Sequence, residues 1–85
     1  MRAHITWTKH RDGIWPMDLA TLPNGGQICA TQYERRTNML DAFKGRVREW
    51  HWSITNASGR KLAEGNRARN RAEARQQAEA ALAAL

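Results

Sequence analysis

The clearest period in the chain lies at residues 48 to 54, REWHWSI, where Trp50, Trp52 and Ile54 alternate with Glu49, His51 and Ser53. A period of two places the apolar groups on one face of a strand and the polar groups on the other. Arg48 shares the apolar face at its outer end, where its stem covers an indole while its head stays in water. A second alternation runs over residues 2 to 9, with Ala3, Ile5 and Trp7 against His4, Thr6 and Thr8. The hairpin signal Asp12-Gly13 follows it, and a return strand is expected from Ile14-Trp15. Pro16 removes a backbone donor, which marks that strand as short or at a sheet edge. MDLATL, 17 to 22, fits either a strand extension or one helical turn.

Pro23-Asn24-Gly25-Gly26 is a turn, after which QICATQYERR alternates again. Ile28 and Ala30 share one face; Cys29, Thr31 and Tyr33 share the other. Residues 37 to 45 read as a connection with a short helical turn, capped by Thr37, ended by Gly45 and tucked in by Met39, Leu40 and Phe43. After the tryptophan strand, Asn56-Ala57-Ser58-Gly59 is a hairpin loop, and RKLAEG, 60 to 65, returns as a shorter strand. The last segment is helical. Asn70 and Glu73 form a capping-box pattern, and Ala74, Ala78, Ala81, Leu82 and Leu85 recur at helical spacing. Arg71, Arg75, Gln76 and Glu79 fall toward water on that reading. Small alanines let the helix approach a sheet, and the indoles of Trp50 and Trp52 fill the remaining space.

These elements predict a single α+β domain over residues 1 to 85: an antiparallel meander of four or five strands within 2–66, with one C-terminal helix, about 70–85, packed on one face. At 85 residues the chain buries only about 60–65% of its unfolded surface, so the 4 tryptophans carry much of the core. Cys29 stands alone, which excludes an intrachain disulfide. MRAHITWTKHRD has neither an apolar run nor a cleavage-site pattern, so no signal peptide is expected. No stretch approaches the roughly 20 apolar residues of a membrane span. A soluble, cytoplasmic protein is the expectation.

Charge adds a functional direction. Lys and Arg total 14 against 8 Asp and Glu, a net charge of +6. Such a surplus suits nucleic acid or an acidic protein surface; an arginine- and alanine-rich bias from a GC-rich genome is the bland alternative. Catalysis finds little footing. His4, His10, His51 and Cys29 lack metal-ligand spacing, the carboxylates are scattered, and Asn24-Gly25-Gly26 precedes a strand where a phosphate cradle requires a helix. No enzyme, metal or cofactor is expected.

The basic residues fall in two groups along the chain. Arg35, Arg36, Lys44, Arg46 and Arg48 surround the central connection; Arg60, Lys61, Arg67, Arg69, Arg71 and Arg75 run from the last strand into the helix. Cations at a helix N-terminus oppose the helix dipole by about 0.3–1 kcal/mol each, and a bound anion would relieve that conflict. The candidate nucleic-acid contacts are Arg46, Arg60, Lys61, Arg67, Arg69, Arg71 and Arg75. Among the rings, Tyr33 lies opposite Ile28 and Ala30 and is the aromatic expected to be exposed.

WHWSITNASGRKLAEGNRARNRAEARQQAEAAL resembles the end of a small sheet-plus-helix module: a W-x-W strand, a glycine turn, a strand and an E-A-rich helix. Over residues 46 to 85 it is similar to the arm-site DNA-binding domains of phage and transposon integrases and the related AP2-like domains. The resemblance implies a sheet packed on a C-terminal helix, a sheet face directed at DNA, and a stand-alone module from a phage or mobile element. The chain departs from that pattern in placing Glu49 and Ser53 on the free face and in carrying 45 further residues. Two functions remain open: a small non-enzymatic nucleic-acid-binding protein, with DNA ahead of RNA, or a protein-interaction module such as a phage-encoded inhibitor of a host protein. A homodimer fits either.

Overall fold

A computed structural model describes residues 5–36 and 46–85. Five strands pair in sequence order as an antiparallel meander: β1 (Thr8–Asp12), β2 (Trp15–Thr21), β3 (Gln27–Arg36), β4 (Arg46–Thr55) and β5 (Lys61–Ala68). The helix α1 (Arg71–Ala83) returns across β3, β4 and β5. The α+β meander with one packed helix is therefore the fold, with five strands.

Trp50, Trp52 and Ile54 are buried on the helix side, level with Ala30 and Ile28 of β3. Ala74 and Ala78 of α1 meet them with no exposed surface. Each indole withdraws on the order of 200 Å² from water, so the pair dominates this core. Trp52 also donates from Nε1 to Gln77 Oε1 at 3.1 Å. Its ring lies against the backbone of Gly65: a Cβ there would stand 2.5 Å from Nε1 and 2.6 Å from Cε2. The missing side chain at Gly65 is what lets the indole approach β5 this closely while reaching Gln77 of α1.

Several boundaries differ from the sequence expectation. β1 begins at Thr8, so Ile5 and Trp7 precede it; they pack, partly buried, against the core. The Thr8 hydroxyl donates to the Leu19 carbonyl at 3.0 Å, closing the end of that ladder with a side chain. The first hairpin closes on the pair Asp12↔Trp15, so Gly13 and Ile14 are its central residues. Gly13 has φ 65 while Ile14 is not in the left-handed region, the II′ pattern; Ile14 is consequently 78% exposed. Residues 17–21 of MDLATL resolve as strand, and Leu22 follows it. Pro16 pairs with Arg11 of β1, and the ladder to β3 starts only at Met17, so its missing N–H breaks no bond to β3. β5 runs on to Ala68, and α1 ends at Ala83, leaving Leu85 65% exposed outside the packed stripe. The expected helical turn at 37–45, His4, and the start of the first alternation at Arg2 to His4 lie outside the described residues.

Candidate nucleic-acid interface

Topology redistributes the basic residues. In a meander, alternate strand ends meet. The ends of β1, β3 and β5 and the starts of β2 and β4 lie together, and α1 begins there too. This end of the sheet collects Arg11 from β1, Arg35 and Arg36 from β3, Arg46 and Arg48 from β4, Arg67 from β5, then Arg69 and Arg71. For Arg35, Arg36 and Arg46 only the backbone position is described. Among the described residues the acids at this end are Asp12, Glu34, Glu49 and Glu73, with Asp18 of β2 paired to Arg71. Glu49 is buried and accepts from the Tyr33 hydroxyl at 2.9 Å, and Glu73 is held by Arg69 Nε at 3.1 Å.

Arg60 and Lys61 sit at the opposite end, just after the Asn56–Gly59 turn. At about 3.3 Å per residue, β5 carries them about 23 Å from Ala68. The seven candidates thus do not form one patch. Lys61 is further engaged by Glu64, Nζ to Oε2 at 2.8 Å, and this ammonium holds the Glu64 carboxyl below its usual value.

Arg71 and Arg75 do not point to water as the helical pattern suggests. Both turn back to Asp18, a β2 residue with no exposed surface. Arg75 Nε donates to Asp18 Oδ2 at 2.8 Å. Arg71 Nε stands 2.9 Å from the same oxygen, a charge contact out of hydrogen-bond alignment. Each guanidinium also covers an indole: Arg71 lies 5.3 Å from the Trp50 ring centroid and Arg75 5.2 Å from that of Trp7. A carboxylate buried on the helix face requires cations, and these two arginines supply them while tying α1 to β2 and to the leading segment. Asp18 pairs across the strands with Lys9 and Ala30, so it belongs to the buried face. The sequence signal for it was present: once 17–22 is read as strand, Asp18 alternates with Ala20 inward.

Between the β1–β2 hairpin and the start of α1 lies a cleft of about 450 Å³ lined by Lys9, His10, Arg11, Ile14, Pro16 and Arg71. No acid lines it. Asn70 caps the helix beside it, with Oδ1 accepting from Glu73 N at 2.8 Å. Lys9 and Arg11 were outside the candidate set; they belong to this surface because β1 pairs with β2 and so faces the helix start.

On the helix-free face, Tyr33 is half-buried and not free as expected. Its hydroxyl donates to Glu49 and accepts from the Arg67 backbone N–H at 3.3 Å. Trp15, Met17, Leu19 and Cys29 are half-buried on the same face. The chain matches no protein-family model, and no curated protein or solved structure matches it. The likeness to integrase arm-site and AP2-like modules accordingly extends to architecture, an antiparallel sheet with a C-terminal helix. Among the described residues no helix is long and apolar enough to cross a membrane.

Proposed function

We propose that the protein is a small basic, non-enzymatic nucleic-acid-binding protein that takes the phosphate backbone at the basic end of its sheet. One observation carries this reading: residues far apart in sequence, Arg11, Arg48, Arg67, Arg69 and Arg71, lie at the same end of the sheet, and two of them, Arg11 and Arg71, line a cleft with no acid among its described residues. Guanidinium forks match phosphate geometry, and the helix start adds backbone donors that favour an anion. Arg71 and Arg75 contribute field and shape from fixed positions, since Asp18 holds them. Lys9, Arg11 and Arg67 are exposed and make the phosphate contacts, joined by Arg69, whose side chain is exposed although its Nε pairs with Glu73.

Binding to labelled single- and double-stranded DNA and RNA across a salt series tests the proposal. Log affinity should fall linearly with log salt, with a slope of about −0.9 per neutralised phosphate on duplex DNA. Absence of binding to all of them at low salt would refute it.

A second reading has its own observation. Ile14 is 78% exposed at the hairpin tip, next to the half-buried Trp15, Met17 and Leu19 of the helix-free face. An apolar surface of this kind suits a protein partner, as in an inhibitor of a host protein. Retained partner capture by the full chain after Arg11 and Arg69 are neutralised, and its loss in Ile14→Ser, would favour this reading.

A further inference from the structure

Opposite His51, strand β5 carries one residue too many. Trp50 pairs with Ala68 and Trp52 with Gly65, so Asn66 and Arg67 share the place of a single partner. This is a β-bulge, and its second residue, Arg67, has φ 65. Left-handed backbone at a bulge is glycine's role. Arg67 is the non-glycine residue with positive φ among the described residues, whereas Gly13, Gly25 and Gly59 fill the other such positions. Glycine at 67 would fold with less strain, so folding does not explain this arginine.

The bulge opens a cleft of about 410 Å³ on the helix-free face, lined by Tyr33, His51, Asn66 and Arg67. Its Tyr33 wall is fixed. The Tyr33 hydroxyl ties β3 to Glu49 of β4 and to the Arg67 backbone N–H of the bulge. His51 Nε2 lies 3.6 Å from Glu64 Oε2. Asn66 and Arg67 are exposed. The set comprises a phenol ring, an imidazole, an amide that both donates and accepts, and a guanidinium. Bulges next to binding sites re-aim side chains in this way, and strain persists where it serves a site.

We infer that this cleft receives an unstacked base of a single-stranded nucleic acid, with Tyr33 and His51 as ring contacts, Asn66 on the base edge and Arg67 on the adjoining phosphate. The inference rests on the nucleic-acid reading above and deepens it: Arg67 and Arg69 continue the phosphate path onto the helix-free face. Ring contacts accept any base, while the amide adds preference.

The test measures binding of the full chain to a labelled oligothymidylate and to a duplex of equal length, at one salt concentration. Arg67→Gly is compared with Arg69→Ala, which removes the same charge at the same end without touching the cleft. Arg67→Gly keeps the backbone N–H to Tyr33 and relieves φ, so its melting temperature should equal or exceed that of the parent. Both variants should weaken duplex binding alike, and Arg67→Gly should weaken single-strand binding about tenfold more than Arg69→Ala. Equal losses on the single strand would overturn the base site while leaving phosphate binding intact. Failure of the parent chain to bind either ligand would overturn both.

Discussion

Replacing Asp18 with alanine tests whether the helix start is held by a buried charge cluster. Asp18 has no exposed surface and receives Arg75 at 2.8 Å and Arg71 at 2.9 Å, while the two arginine side chains remain 28% and 36% exposed. Removing one partner of a fully buried ion pair costs about 3–5 kcal/mol, because the remaining charge is stranded. Here both arginines reach water and can rehydrate after the change, which places the loss at the lower limit, about 3 kcal/mol. Their stacking on Trp50 and Trp7 is worth roughly 0.5–1 kcal/mol each at partly exposed sites and limits that escape. For a domain of this size, 1 kcal/mol corresponds to about 4–8 °C in melting temperature, so Asp18→Ala should melt about 12–24 °C below the parent. Urea unfolding followed by tryptophan fluorescence reads the same loss as a lower midpoint with an unchanged slope. Arg75→Ala in the Asp18→Ala background should then cost little further, since the two act as a unit. A loss under about 0.5 kcal/mol, the range of an ordinary surface change, would refute the assignment of Asp18 as the anchor of α1.

Three further outcomes follow from particular contacts. Gly65→Ala should destabilise by about 1–3 kcal/mol, as overpacking does, because its Cβ would meet the Trp52 ring at 2.5 Å; thermal unfolding reads this, and an unchanged midpoint would contradict the packing. Asn70→Ala should cost about 1 kcal/mol by removing the cap on Glu73 N, seen as a lower urea midpoint. Lys61→Ala should let the Glu64 carboxyl titrate higher in an NMR pH series, since Lys61 hydrogen bonding and charge hold it down. The sign follows from linkage: a carboxyl lowered in the folded state favours folding above its unfolded pKa, and that contribution fades as pH falls through the folded value.

Much of the fold was legible because local signals agreed. Trp50, Trp52 and Ile54 alternate, glycine turns bracket the strands, and Asn70 with Glu73 marks the helix start. Each signal lies within a few residues, so no tertiary knowledge was needed. The first hairpin slipped by one residue because Asp12-Gly13 and Gly13-Ile14 both satisfy a tight turn, and the cross-strand pair Asp12↔Trp15 decides between them. Asp18 stayed hidden because its segment fitted two periods. Its partners Arg71 and Arg75 lie more than 50 positions away, beyond any local pattern.

The candidate interface was legible only in part for a similar reason. Arg60 and Lys61 adjoin Arg67 in sequence, but an extended strand carries them to the other end of the sheet. Arg11, by contrast, lies far from Arg69 in sequence, yet its strand and the helix start converge. Sequence proximity is a good guide to patches on a helix and a poor one along a strand. The bulge at Asn66-Arg67 left no trace, because bulges at such places are usually marked by glycine and here the residue is arginine.

Binding at the basic end is most directly tested by removing the same total charge from two different places. Arg11→Glu with Arg69→Glu reverses two charges at the end where β1 and α1 meet; Arg60→Glu with Lys61→Glu reverses two at the far end, giving the same net charge. Affinity for a labelled DNA at low salt is then measured for both. The first pair should abolish binding, and the second should weaken it only a few-fold through the overall field. Equal loss from the two pairs would show that net charge alone holds the nucleic acid, and that the convergence of arginines at one end of the sheet is not a binding site.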